Sequence, residues 1–174
     1  ALTMSRANAE VASATVVEDA DIHAWASGQD VTIRLVRAIV AGCKAVPSLN
    51  AWYDSHVVGR RLFEKIDLGI AVNTEEGLFV PVLRDVGNRD REDLRRGLEA
   101  IKDNVRKRTI PPQEMRDYTI TLSNFGSFGG RYAAPVVVPP TVAILGAGRV
   151  RPQVVAVNDQ PKVHRVMPIS LAFD

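Results

Sequence analysis

From Tyr118 to Gly130 the chain reads Tyr-Thr-Ile-Thr-Leu-Ser-Asn-Phe-Gly-Ser-Phe-Gly-Gly, a β-rich run that hands over to a hydroxyl, an amide and glycines. Ser123 supplies a donor and acceptor at the strand end and Asn124 an amide with both kinds of group. Gly126, Gly129 and Gly130 allow positive φ and remove the Cβ that keeps a backbone away from a ligand. The chemistry this suits is close polar contact with a bound molecule. The same residues also permit a local use, in which the two side chains satisfy neighbouring backbone groups at a strand-ending turn.

Other reactive side chains are sparse. Cys43 is the only cysteine, which excludes an internal disulfide framework and a cysteine-based zinc cluster. It lies inside an apolar stretch, where a buried structural thiol is expected rather than a nucleophile. Of the three histidines, His23 and His56 fall in expected loops and read as surface residues. No metal site is expected.

The elements that must position Ser123 follow from pattern and punctuation. A short helix is expected over residues 2–10 and a strand over residues 14–22. A polar break at Ser27-Gly28-Gln29-Asp30 precedes a largely buried helix from Val31 to Val46, ended by Pro47. A turn at Asp54-Ser55-His56 leads to a strand ending near Arg61. Residues 65–72 and 77–83 read as two strands around a turn at residues 73–77. Asp90 or Asn88 can cap a second helix whose Leu94, Leu98, Ile101 and Val105 form one apolar stripe, its other faces being charged. Thr109-Ile110-Pro111-Pro112 stops that helix. Strands are expected again at residues 118–123, 141–145, 153–158 and 163–173. Strands and helices mix without repeated βαβ spacing, so a layered α/β sandwich with a mixed sheet is expected rather than a doubly wound dinucleotide fold.

With 174 residues, 46% hydrophobic and 24% charged, the chain fits one globular domain with a sizeable core. A net charge of +2 and the lack of a basic run interleaved with aromatics argue against a nucleic-acid partner. No apolar run reaches the ~20 residues that span a bilayer, and the amino end shows no signal-peptide pattern. A soluble intracellular protein is expected.

Together with Val136-Val137-Val138-Pro139-Pro140-Thr141-Val142-Ala143-Ile144-Leu145-Gly146-Ala147-Gly148, the glycine-turn run closely resembles the catalytic domain of dihydrolipoamide acyltransferases, the cores of 2-oxo acid dehydrogenase complexes. Further matches lie at Leu49-Asn50-Ala51, residues 70–84 and residues 135–150, so the resemblance covers most of residues 1–174. It implies a two-layer α/β subunit of the chloramphenicol acetyltransferase type. It implies a homotrimer or a higher multiple of three, with active sites between subunits. In the family a histidine in a carboxyl-terminal HxxxDG motif acts as base on a thiol that attacks a thioester. A serine or threonine, here Ser123, donates a hydrogen bond to the oxyanion; losing such a donor can cost ~10²-fold or more in rate. Coenzyme A contacts are implied at Asn124, Gly148 and Val150, where small backbone profiles suit a narrow pantetheine channel. Asn73, at a position commonly aspartate, and Lys102, on the second helix, are further implied contacts.

The resemblance further implies a lipoyl group on a separate lipoyl domain, and decarboxylase and dihydrolipoamide dehydrogenase components as partners. A bacterial protein would be cytoplasmic and a eukaryotic one would lie in the mitochondrial matrix. Two departures stand out. The sequence reaches Pro168-Ile169-Ser170-Leu171-Ala172-Phe173-Asp174, which resembles the strand before the family's histidine, without an HxxxDG motif, so the catalytic domain is expected to be incomplete there. His164-Arg165-Val166 imitates the motif's start, but Met167-Pro168 follows, and His164 is rejected as the base. Near residues 23–30 the family carries a longer helical connection, so a segment is expected to be missing there. The leading function is acyl transfer, branched-chain or acetyl, between dihydrolipoyl groups and coenzyme A. The alternatives are a scaffold that assembles without turnover and a chloramphenicol-type small-molecule acyltransferase.

Overall fold

The computed structural model describes residues 11–75 and 77–174; the helix expected over residues 2–10 lies outside them. The chain opens with strand β1 (Ala14–Asp21), turns through residues 22–30, and enters helix α1 (Val31–Ala45). Asp30 caps that helix, its carboxylate accepting from the Ile33 amide at 3.1 Å, and one face buries Ile33, Val36, Ile39, Val40 and Cys43. Burial pushes the Cys43 thiol up to about 11, which fits the structural role expected of it.

A small hairpin follows, β2 (Ala51–Asp54) against β3 (Gly59–Leu62). The two strands expected over residues 65–83 are in fact four: β4 (Leu68–Ile70), β5 (Val72–Thr74), β6 (Gly77–Phe79) and β7 (Val82–Leu83). β4 pairs with β7 and β5 with β6, in separate sheets. The cause of the division is a partner distant in sequence. The Ile70 amide still donates to Pro81 O at 2.8 Å, but the Ala71 amide donates instead to Leu122 O at 2.9 Å, so the hairpin peels open where its first strand joins another partner.

Helix α2 (Arg91–Lys107) has Asp90 as its cap, Glu92 and Asp93 in its first turn and Arg106 and Lys107 in its last, the arrangement favoured by the helix dipole. Its buried residues are Leu94, Leu98, Ile101 and Val105, the stripe expected from the sequence. Arg95 ion-pairs with Asp30 at the start of α1 and with Glu99 on its own helix. The chain then runs through β8 (Ile120–Asn124), β9 (Ala143–Ala147), β10 (Arg151–Val157) and β11 (Gln160–Phe173). Asn158 and Asp159, with φ of 51° and 61°, form the two-residue turn between β10 and β11, where positive φ at both positions matches the strand twist.

The main sheet runs β1-β11-β9-β8-β4-β7, with β10 also paired to β11. β8 lies parallel to both neighbours, β4 and β9, while the remaining pairs are antiparallel. The result is a two-layer α/β sandwich with a mixed sheet. Helices and sheet share a core that includes Val36, Leu68, Leu94, Leu98 and Leu122. The opposite side of the sheet near Ser123 is covered by residues 125–140, which carry β8 over to the parallel β9.

An ionic cluster ties that covering segment to the sheet edge. Asp19 on β1 accepts from Arg131 at 2.8 Å, Tyr132 at 3.0 Å and Gln153 at 3.2 Å. Burial pushes the Asp19 carboxyl up, but these hydrogen bonds outweigh it and hold the group below its ordinary value.

Two consequences are testable. Ile39 is 5% exposed, so Ile39→Asp buries a carboxylate without a partner at a cost of several kcal/mol, against a typical domain stability of about 5–15 kcal/mol. The variant is expected in the insoluble fraction; a soluble protein with an unchanged thermal midpoint would show that α1 is not core. For Asp19, a depressed folded-state pKa contributes stability that is present above the ordinary value of 3.8 and lost as pH falls through the folded value. Asp19→Asn should therefore melt below wild type at neutral pH, and the two midpoints should converge under strongly acidic conditions. A gap that does not change with pH would remove the carboxylate from this role.

Candidate functional site

The register of the sheet decides where Ser123 points. Ser123 lies opposite Gly146, Gly146 opposite Ser170, and Ser170 opposite Val17, so four strands contribute one row of mostly small residues. The next row, Leu122, Leu145, Leu171 and Val16, faces the helices, because successive side chains on a strand point to opposite faces. Ser123 is thus on the face covered by residues 125–140. Fully buried Ser170 accepts from the Ala133 amide at 3.2 Å, pinning that cover. A Cβ at Gly146 would lie 3.1 Å from the Phe125 ring and 3.2 Å from Pro135.

Ser123 is half-buried, and its hydroxyl makes no side-chain hydrogen bond among the described residues. It remains available to a ligand. Asn124 is exposed and its Oδ1 accepts from the Gly126 amide at 3.2 Å, so the local turn-forming use holds for its oxygen. The turn continues with the Phe125 amide donating to Ala147 O at 3.0 Å and the Phe128 amide to Phe125 O at 3.0 Å.

Gly148, expected beside a pantetheine channel, sits against backbone on the side its side chain would take. A Cβ there would lie 2.6 Å from Arg131 O and 3.1 Å from Gly130 O, and one at Gly126 would lie 2.6 Å from Gly148 O. Backbone packs on backbone at both places, so the absent side chains hold the two turns together. Arg149 reinforces the contact: its amide donates to Gly130 O and its Nε to Gly126 O, both at 3.3 Å. The sequence reading missed this arginine, for which adjacency to Gly148 was the available signal. Val150 is half-buried against the core.

Asn73 is exposed on β5, three residues beyond Ile70, which pairs with Leu122. About 10 Å of extended chain therefore separates it from the end of the Ser123 strand pair. The carboxyl ends of the parallel β4, β8 and β9 bring Asn73, Ser123, Asn124 and Gly148 to one end of the sheet, the end where open α/β sheets place ligands. Asn73 also lines a groove of about 540 Å³ with Thr74, Glu75, Phe79, Val105, Arg106, Arg108, Ile110 and Met115. Lys102 is half-exposed on α2 and ion-pairs with Glu99 at 3.3 Å, one helical turn before Arg106. A larger cavity of about 670 Å³, lined by Leu49, Tyr53, Val142 and Phe173 among others, opens at the other end of β9. None of the expected site residues lines it.

The His23–His164 pair lies apart from Ser123. His164 Nδ1 is 2.5 Å from Asp21 Oδ2, and its ring stacks on His23 with centroids 4.1 Å apart. It is six residues from Ser170 along β11, roughly 20 Å of strand from the Ser123 row. The sequence reading placed His23 in a loop without seeing this pair. His56 sits between β2 and β3. Among the described residues no group of three or more His, Cys, Asp or Glu could hold a metal, and no helix is long and apolar enough to cross a membrane.

Similarity to known proteins runs along the whole chain. Residues 1–174 match the model of the 2-oxoacid dehydrogenases acyltransferase (catalytic domain) family. A dihydrolipoyllysine-residue acetyltransferase component of the pyruvate dehydrogenase complex from Mycoplasma genitalium is 31% identical over 139 residues, covering 80% of this chain and 36% of that protein. The lipoamide acyltransferase component of the branched-chain alpha-keto acid dehydrogenase complex from Pseudomonas aeruginosa is 34% identical over 140 residues, covering 80% of this chain and 33% of that protein. The chain thus spans about a third of the length of these relatives. The cubic core of a pyruvate dehydrogenase multienzyme complex superposes with a TM-score of 0.89 at 26% identity, covering 99% of this chain and 77% of that one. A chloramphenicol acetyltransferase shares the fold, with a TM-score of 0.61 at 15% identity over 99% of this chain and 84% of that one. With its mixed sheet, its Ser123 turn and a match from first residue to last, the chain belongs to the 2-oxoacid dehydrogenase acyltransferase catalytic-domain family.

Proposed function

We propose that this domain moves an acyl group, acetyl or branched-chain, between the dihydrolipoyl arm of a separate lipoyl domain and coenzyme A. The observation that carries the reading is the Ser123 hydroxyl, unpartnered among the described residues, at the carboxyl end of the central parallel strand. Membership of the family supports it, as do the relatives named for acetyl and branched-chain complexes.

In this reading a thiolate attacks a thioester carbonyl, a carbon–sulfur bond forms and the carbonyl oxygen takes the negative charge. Ser123 donates its proton in a hydrogen bond to that oxygen. Collapse restores the carbonyl and expels the second sulfur. The donor acts most strongly in the charged state, so it lowers the barrier more than it tightens binding. Gly146, its neighbour on β9, and the cover pinned by Ser170 bound the space around it. Asn124, Gly148, Val150, Asn73 and Lys102 serve coenzyme A in this reading, the first three around the turn and the last two beside the groove.

A thiol of ordinary pKa near 8.5 is mostly protonated at neutral pH, so a base is required. The histidine pair at His23 and His164 is remote from Ser123. The family resemblance supplies the base from an HxxxDG segment of a neighbouring copy, so we further propose a trimer or a multiple of three as the working unit. The cubic core formed by a structural relative supports assembly of this kind.

In the full-length protein, Ser123→Ala is expected to lower kcat by about 10²-fold with little change in KM. Steady-state kinetics with dihydrolipoamide and acyl-coenzyme A measure this; an unchanged kcat would defeat the oxyanion role. Sedimentation equilibrium at micromolar concentration should give a mass that is a multiple of three chains. A stable monomer would sink the shared-site proposal.

A further inference from the structure

Asp19 shares a sheet face with Ser123 without touching it. Ser123 belongs to the row that ends at Val17 on β1. Asp19 is two residues further along β1, opposite Pro168, whose carbonyl accepts from the Gly148 amide at 2.8 Å. Side chains two apart on a strand point to the same face, so Asp19 lies about 7 Å along the strands from the Ser123 row and three strand spacings, roughly 14 Å, across it. Its carboxylate gathers polar groups from two directions. Arg131 donates at 2.8 Å and Tyr132 at 3.0 Å from the cover, Gln153 donates at 3.2 Å from β10, and the Arg151 guanidinium stands 3.6 Å away.

A short line of contacts leads from this carboxylate to the end of β8. Arg131 O lies 2.6 Å from where a Cβ on Gly148 would stand, and Gly148 O lies 2.6 Å from where one on Gly126 would stand. The Gly126 amide in turn donates to Asn124 Oδ1 at 3.2 Å, one residue from Ser123. From Arg131 to Gly126, backbone meets backbone with no side chain between to absorb a shift. The cover has other anchors, since Val137 is buried and Ser170 holds the Ala133 amide. The Arg131 side chain is 51% exposed, and ion pairs of that exposure contribute little to stability. What its pair with Asp19 does fix is where the covering backbone sits over Gly148.

We propose that Arg131 is a positioning residue for acyl transfer: held by Asp19, it sets the covering backbone against Gly148 and through it the turn that ends β8, keeping the Ser123 hydroxyl aimed at the oxyanion. In this role it touches neither the thioester nor the attacking thiol. The proposal rests on the acyl-transfer reading above. A displacement of about 1 Å in a reacting geometry can cost ~10²-fold in rate, and an interaction made only with the developing charge is lost from kcat rather than from binding.

A double-mutant cycle in the full-length protein tests it, by steady-state kinetics with dihydrolipoamide and acyl-coenzyme A well below the melting range. Arg131→Ser should lower kcat about 5- to 10-fold and leave both KM values unchanged. Arg131→Lys, which keeps a cation for Asp19, should recover part of the loss. In a Ser123→Ala background Arg131→Ser should have no further effect, because the hydroxyl it aims is gone. Arg96→Ser, the loss of another exposed arginine, paired with Asp93 on α2, should change neither constant. If Arg131→Ser fails to fold, Tyr132→Phe, which removes only the other hydrogen bond from the cover to Asp19, carries the same cycle. An unchanged kcat, a raised KM, or effects of Arg131→Ser and Ser123→Ala that multiply would each overturn the positioning role and leave the acyl-transfer reading intact. Full kcat in Ser123→Ala, or no acyl transfer by the wild type, would overturn this role together with the reading it rests on.

Discussion

The placement of Ser123 depends on a buried amide six strands earlier in the chain. Asn50 is 2% exposed; its Nδ2 donates to Phe63 O at 2.7 Å and Lys65 O at 3.0 Å, and its Oδ1 accepts from the Thr119 hydroxyl. That hydroxyl also accepts from the Asp67 amide at 3.1 Å, and the Thr119 amide donates to Asp67 O at 2.7 Å. The start of β8 is thereby locked against the start of β4. A one-residue slip would turn every β8 side chain to the other face, putting Ser123 into the helix core and Leu122 under the covering segment. Each broken bond would also strand a buried polar group, which costs more than the bond itself is worth. Register at one end of the strand thus determines chemistry at the other.

The same network extends outward through Asp67. Its carboxylate accepts from the Asp85 amide at 2.8 Å and from Arg84 at 3.0 Å. Arg84 in turn donates to the carbonyls of Gln113, Arg116 and Asp117 at 3.1, 2.8 and 3.1 Å. One guanidinium therefore fastens the chain between α2 and β8 to the far edge of the sheet. Trp52 adds a second latch by donating to Tyr118 O at 2.9 Å. The segment entering β8 is held from three directions, so little freedom remains where the strand delivers Ser123.

At the carboxyl end the constraint changes from hydrogen bonds to steric fit. Gly126, Gly146 and Gly148 each leave room that a neighbouring chain segment occupies, and Asp19 fixes the cover through Arg131 and Tyr132. The site is therefore rigid behind Ser123 and open toward Asn73 and the groove.

Much of this was legible in the chain itself. The Val31–Ala45 and Arg91–Lys107 helices and the Leu94 to Val105 stripe follow from local periodicity and punctuation, which neighbours in sequence decide; the sequence offered Asp90 or Asn88 as the second helix's cap, and the structure uses Asp90. The Ser-Asn-Gly turn and the family resemblance followed from types and spacing. Tertiary structure alone decided the rest, because those features depend on residues distant in sequence. It split the residue 65–83 hairpin by offering Ala71 a partner on β8, stacked His23 on His164 from 141 positions away in the chain, and set the backbone of Gly130 and Arg131 where a side chain on Gly148 would stand. A glycine in a sequence shows that a Cβ is unwelcome; only the packed structure shows what stands in its place.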